Sequence, residues 1–308
     1  MDGFAVETIG LAKRYGATTA LAGLTMQVPA GHVFGFLGPN GAGKTTAIKL
    51  LLGLARPTSG AATVLGAVLG DRAARRRIGY LPELFRYQAW LTARDVLGLH
   101  ASLARLPHAQ RSSAIGDALE LVGLADRSDD RVGTFSKGMQ QRLGLGVALL
   151  GRPDLVFLDE PTSALDPIGR QAVRAVIREL RDRGSAVFLN SHLLTEVERV
   201  CDEVAIVDHG RVVASGSLDE LLGVGTVRVR VTDLDESGRA AAAAFGAISD
   251  DPPWLVVRGC PADRVPDLVA ALVGAGGRIH AVDAGRETLE ERFLELLGAA
   301  GAAREPAP

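Results

Sequence analysis

Five apolar residues, Val33–Leu37, run without a break into Gly38-Pro39-Asn40-Gly41-Ala42-Gly43-Lys44-Thr45-Thr46, and a helix-like stretch to Leu54 follows. No other segment restricts the fold so tightly. A short continuous apolar run reads as a strand buried on both faces, and the glycines end it abruptly. Strand, glycine turn and helix in that order begin an α/β domain. The spacing is G-x-x-x-x-G-K-[ST], in which successive backbone N–H groups wrap phosphate oxygens. Lys44 supplies a point charge to a triphosphate, Thr45 a hydroxyl to Mg²⁺, and the helix its positive N-terminal end. A chance glycine turn would lack the strand before and the helix after. Gly38, Pro39, Asn40, Gly41, Ala42, Gly43, Lys44, Thr45 and Thr46 are therefore the expected nucleotide contacts.

A second apolar run, Leu155–Leu158, ends in Asp159 and Glu160. An acidic turn after a core strand would look the same when taken alone. With the glycine loop in the same chain, Asp159 reads as a carboxylate that holds Mg²⁺ through its water shell. Glu160, at the strand's end, reads as the group that polarises an attacking water.

Ahead of that run lies Phe135-Ser136-Lys137-Gly138-Met139-Gln140-Gln141-Arg142. At this point the chain resembles the ATP-binding cassette family, from about residue 4 to 220. The octapeptide is similar to the family signature L-S-G-G-Q-Q-x-R, with Ser136 and Gly138 in place and Lys137 and Met139 as departures seen in exporter-like branches. Ser163-Ala164-Leu165-Asp166 resembles the D-loop, His192 falls where the family has a switch histidine, and Tyr15 fits the aromatic that stacks on adenine. Glu83, in Gly79-Tyr80-Leu81-Pro82-Glu83, stands where the family usually carries Gln. It keeps an oxygen for the metal but adds a charge. The resemblance implies an ATPase with ATP and Mg²⁺ as cofactors. Lys44, Glu160 and His192 would be catalytic, Thr45, Glu83 and Asp159 metal-facing, and Tyr15, Glu83, Ser136, Gly138 and Asp166 further nucleotide contacts.

The family also implies a partner, because the glycine loop Gly38–Thr45 and the signature belong to opposite halves of each site. Ser136 and Gly138 would meet ATP held by a second subunit, most simply a second copy. The expected fold class is α/β: a P-loop NTPase core with an antiparallel β subdomain and a helical subdomain at about 88–150, plus a small C-terminal α/β domain. The cassette is expected over 1–222, the C-terminal domain over 225–298 and a flexible tail over 299–308. Within the second domain, Thr288-Leu289-Glu290-Glu291 has a capping-box pattern, and Leu289, Phe293, Leu296 and Leu297 share one helical face. This module resembles the extension on ABC-2-type exporter ATPases of the daunorubicin-resistance-like group.

Composition narrows the partners. The formal net charge is −2, the charged fraction 23% and the hydrophobic fraction 47%. That balance gives no bulk attraction for nucleic acid, and no apolar window is long enough to span a bilayer. A transport role then needs a separate permease, expected to be of the ABC-2 type, with this chain cytoplasmic on the inner membrane face. Phe85–Leu91 offers large side chains either for local packing or for a groove that receives a permease helix. The competing class is a soluble cassette ATPase acting on nucleic acid or ribosomes, whose members carry paired cassettes or long coiled-coil inserts. A regulatory subunit with little turnover is a third reading. Cys201 and Cys260 show no metal or disulfide spacing and are expected as thiols.

Overall fold

The computed structural model describes residues 3–163, 165–222, 225–285 and 288–302. Ala164 of the expected D-loop and residues 303–308 of the expected tail lie outside them. At the N-terminus β1 spans Phe4–Tyr15 and pairs antiparallel with β2, Thr18–Pro29. The chain then runs through β3 (Val33–Leu37), α1 (Lys44–Leu51), β4 (Ser59–Val64), β5 (Ala67–Val68), α2 (Arg72–Arg75) and β6 (Ile78–Leu81). Three helices follow, α3 (Ala93–Leu103), α4 (His108–Leu121) and α5 (Lys137–Leu149). Next come β7 (Leu155–Asp159), α6 (Pro167–Asp182), β8 (Ala186–Asn190), α7 (Leu194–Val200), β9 (Glu203–Asp208) and β10 (Arg211–Ser217).

β1, β2, β4 and β5 form one sheet in the order β2-β1-β4-β5. The other sheet of this part has the order β10-β9-β3-β8-β7-β6. Its pairs β9/β3, β3/β8, β8/β7 and β7/β6 are all parallel. β3, β7 and β8 are buried at every position, which is why they are spelled as unbroken apolar runs. Phe188 on β8 lies 5.9 Å from Phe34, 5.1 Å from Phe36 and 5.1 Å from Phe157, ring centre to ring centre. Such pairs contribute roughly 0.5–1.5 kcal/mol each beyond area burial. The same core takes in Val6, Leu11 and Leu24 of the antiparallel sheet and Ile48 and Leu51 of α1, so both sheets brace the glycine loop.

The chain divides between Ser215 and Gly216 into two compact units. The second contains α8 (Leu218–Leu222), β11 (Thr226–Thr232), α9 (Glu236–Ala243), β12 (Ala247–Asp251), β13 (Trp254–Arg258), α10 (Val265–Gly274), β14 (Arg278–Gly285) and α11 (Leu289–Ala302). Its sheet has the order β12-β13-β11-β14 with every neighbour antiparallel. From β11 to β14 the succession is β-α-β-β-α-β, the ferredoxin-like pattern. Val227, Val229, Leu255, Val257, Leu268 and Leu272 form its core.

α6 begins at Pro167, where Asp166 caps it and Pro167 suits a first helical turn. A 3-10 turn, Ala262–Arg264, precedes α10. One expectation needs correction: the tail expected from 299 is helical up to Ala302, with alanines offsetting the propensity cost of Gly301. The capping box at α11 is formed: Thr288 N–H donates to Glu291 Oε2 at 3.0 Å and Glu291 N–H to Thr288 Oγ1 at 3.2 Å. No helix among the described residues is long and apolar enough to cross a membrane.

Candidate active site

The glycine loop joins β3 to α1 at the carboxyl edge of the parallel strands. Gly43 caps α1 at φ 98°, and a Cβ there would lie 2.3 Å from the Ala20 carbonyl oxygen. Only glycine meets both conditions. Lys44 folds back so that Nζ donates to the Gly38 and Pro39 carbonyls at 2.7 and 3.1 Å. Burial pulls its pKa down, against the opposing pull of Glu160, Asp159 and Glu83. One cation therefore faces three carboxylates drawn from two strand ends, β6 and β7.

Those carboxylates are held unequally. Asp159 is buried, and Asn190 Nδ2 donates to its Oδ1 at 2.5 Å. The contact exists because β7 and β8 pair in register at Asp159 and Asn190. Burial raises the Asp159 pKa, the Asn190 hydrogen bond opposes that, and Glu83 adds to it. Glu160 has φ 54°, a left-handed conformation worth about 1–3 kcal/mol of strain in a non-glycine residue. Its N–H is fixed to the Asn190 carbonyl at 2.9 Å. The carboxylate takes two contacts from one residue: His192 N–H donates to Oε1 at 3.0 Å, and His192 Nδ1 lies 2.7 Å from Oε2. Burial raises the Glu160 pKa and the histidine opposes the rise. A carboxylate displaced toward neutral pH and aimed by a histidine is equipped to take a proton from water.

The residues expected to face a cation here offer oxygen, the Thr45 hydroxyl and the Asp159 and Glu83 carboxylates, a set suited to a hard cation. Asn190 Oδ1 is buried beside them without a hydrogen-bond partner, an acceptor matched to a water of a hydrated ion. Among the described residues no three His, Cys, Asp or Glu side chains form a metal cage. Mg²⁺ fits such a place because it takes most of its ligands from phosphate and water.

The other expected contacts lie apart from this cluster in their local bonding. Ser136 caps α5, its Oγ accepting from Met139 N–H at 3.2 Å. Asp166 caps α6, accepting from Gly169 N–H at 2.7 Å. Signature and D-loop touch each other: a Cβ on Gly138 would lie 3.2 Å from Leu165 Cδ2. Tyr15 is half exposed on β1, with Lys13 Nζ 4.8 Å from its ring centre.

Comparison with known proteins decides what carries this arrangement. Residues 21–163 match the family model described as "ABC transporter". An uncharacterized ABC transporter ATP-binding protein of Nostoc is 42% identical over 281 residues, covering 90% of this chain and 83% of that protein. The daunorubicin/doxorubicin resistance ATP-binding protein DrrA of Streptomyces peucetius is 36% identical over 305 residues, 96% of this chain and 92% of that one. The chain belongs to the ABC transporter ATP-binding family. A solved ATP-binding subunit of an ABC transporter superposes with TM-score 0.65 at 34% identity, covering 70% of this chain and 91% of that one. This cassette binds ATP and is an ATPase.

Two residues of the cassette's site escaped the sequence reading. Asn190 directly follows the apolar run Ala186–Leu189, and a polar residue closing such a run is itself a signal. Gln141, in the second turn of α5, is buried and its Nε2 lies 3.5 Å from the Glu160 carbonyl oxygen. The Phe85–Leu91 segment divides in two. Phe85 and Tyr87 pack ring to ring at 5.3 Å, and Tyr87 meets the His100 ring edge-on at 5.8 Å. Burial pushes the Tyr87 hydroxyl well above its ordinary pKa. Trp90 is 71% exposed, and Leu84 just ahead of the segment is 86% exposed.

Proposed function

We propose that the cassette powers an exporter as one of two copies that bind two ATP molecules between them, docked on a separate membrane permease of the ABC-2 type. The observation that carries this reading is the split of the site. The loop lysine, Asp159 at the end of β7, Glu160 just after it and His192 interact in one cluster, while Ser136 and Gly138 stand at the start of a helix that packs on β6, α3 and α4. A signature placed so serves ATP held by another subunit. Ile168, beside the D-loop, is strongly exposed and suits the same contact. Similarity to the Streptomyces resistance protein along both units supports export as the transport direction.

In this reading Glu160 activates water and His192 orients it. Lys44 and the loop N–H groups position the triphosphate. Thr45, Asp159 and Glu83 would hold Mg²⁺, which would supply positive charge to offset that of the phosphates. Glu160→Gln keeps the shape and removes the base, so ATP hydrolysis should fall by about 10²–10⁴-fold. Light scattering should then show a dimer that persists in ATP and disperses without it. Rapid phosphate release by this variant would overturn the role of Glu160.

The permease contact is assigned to the exposed part of the 84–91 segment. Trp90→Ala should uncouple transport in the assembled complex and leave basal ATPase activity and melting temperature in place. Tyr87 is half-buried, so Tyr87→Ala should instead cost about 2 kcal/mol of stability, less than truncating a fully buried aromatic. If both variants lose stability equally, the segment is packing alone.

A further inference from the structure

Three arginines on one stripe of α6, at i, i+4 and i+7, all reach α7 or the chain leaving it. Arg174 Nη1 donates to both carboxylate oxygens of Glu196, at 2.7 and 2.8 Å. Arg178 Nη2 donates to the Arg199 carbonyl at 3.3 Å, and Arg181 Nη1 to Asp202 Oδ1 at 3.3 Å. The rungs differ in burial. Arg174 and Glu196 are 15% and 8% exposed, Arg181 and Asp202 37% and 31%. An exposed pair contributes little, whereas removing one partner of a buried pair strands a charge. The rung that matters is thus Arg174 with Glu196.

Its place in the chain gives it a further consequence. Glu196 lies in the first turn of α7, which starts two residues after His192. Leu193 offers that helix no side-chain cap; among the described residues, the side-chain acceptors just before it are Ser191 Oγ, 3.1 Å from Leu193 N–H, and Glu160 Oε1, 3.0 Å from His192 N–H, so Arg174 adds the hold on the helix itself. The body of α7 is seated tightly on β3, where a Cβ on Gly35 would fall 2.9 Å from Val197 Cγ1. At its other end the stripe leads back to the D-loop: α6 is capped by Asp166, and Arg170 Nε donates to the Leu165 carbonyl at 3.1 Å.

We propose that Arg174 is a positioning residue for ATP hydrolysis: through Glu196 it fixes the start of α7, and with it His192 against Glu160, relative to α6 and the D-loop at its head. The inference rests on the roles given above to Glu160 and His192. One nitrogen makes both contacts, so a lysine ammonium can replace it, which a two-nitrogen fork would not allow.

The test is a double-mutant cycle on the full chain, measuring steady-state phosphate release and the melting temperature. Arg174→Met should lower kcat between about ten- and a hundredfold, the range of a slightly misplaced catalytic group. KM for ATP should stay within about twofold, and Arg174→Lys should recover most of the loss. In a His192→Ala background, Arg174→Met should lower kcat by no more than about twofold further, because the two act as one unit. An equal fall with and without His192 would overturn the proposal, as would unchanged turnover in Arg174→Met. Glu196→Gln keeps the side chain's shape and enters the same cycle should Arg174→Met fail to fold. Full turnover by His192→Ala alone would instead overturn the role of His192, an outcome visible before any second substitution is made.

Discussion

The glycine-loop half of the site and the signature half are built on opposite physical terms. Around Lys44 the charges are mutually dependent and two of them, Asp159 and Glu160, are buried: Asp159 needs Asn190, Glu160 needs His192, and Lys44 leans on two loop carbonyls. Around Ser136 the polar groups are already satisfied by their own helices, with Ser136 capping α5 and Asp166 capping α6. The first half holds local tension that a ligand can relieve. The second is at rest and offers only a helix N-terminus and a glycine edge. One chain therefore makes a strained pocket and a rigid wall, and the contrast suits a wall that closes on another molecule's pocket.

The sharpest way to break that comparison is to damage one half in each of two preparations. Lys44→Ala alone and Ser136→Ala alone should each show little hydrolysis. An equal mixture should recover about a quarter of normal turnover, because half of the dimers then carry one intact composite site. No recovery on mixing, with both variants folded and dimerising in ATP, would mean that loop and signature serve the same chain's nucleotide.

Ser136→Ala also carries a smaller effect of its own. Losing an N-cap costs about 1 kcal/mol, roughly 2–4 °C of melting temperature in a domain of this size. Lys44→Ala should shift the melting temperature less, since it removes a half-buried cation whose burial cost and attraction to three carboxylates oppose each other. A Ser136 variant that melts at the wild-type temperature would show that the cap is not what keeps the signature wall in place.

The two halves also differed in how plainly the sequence announced them. Val33–Leu37 and Leu155–Leu158 are legible because a strand buried on both faces leaves little room for a polar residue before its end. The start of α6 was hidden because Pro167, Ile168, Gly169 and Arg170 show no apolar stripe before Val173, and Ile168 faces outward. β6 has only four residues with a glycine among them, and β4 opens on small residues, so neither carries a periodic signal. The order β12-β13-β11-β14 was beyond reach, since local pattern names elements but not their neighbours. Contacts such as Asp159 with Asn190, or Arg174 with Glu196, depend on strand register and helix crossing. They join residues 31 and 22 positions apart.

Glu83 sharpens the comparison at its finest scale, because it is the one member of the strained half that departs from the family's usual side chain. Its negative charge acts on Lys44 and Asp159 alike, raising the Asp159 pKa while stabilising the cationic lysine. Both effects make the pocket more demanding of a cation. We expect Glu83→Gln to weaken Mg²⁺ binding, with the half-saturating concentration for phosphate release rising by roughly two- to fivefold, the scale of an exposed ion pair. Glu83 is exposed at the end of β6, so the effect should shrink as salt is added. Maximal turnover at saturating Mg²⁺ should change little, since Gln keeps an oxygen in place. Titration of Mg²⁺ at two ionic strengths separates charge from shape: an effect that ignores salt would assign Glu83 to geometry.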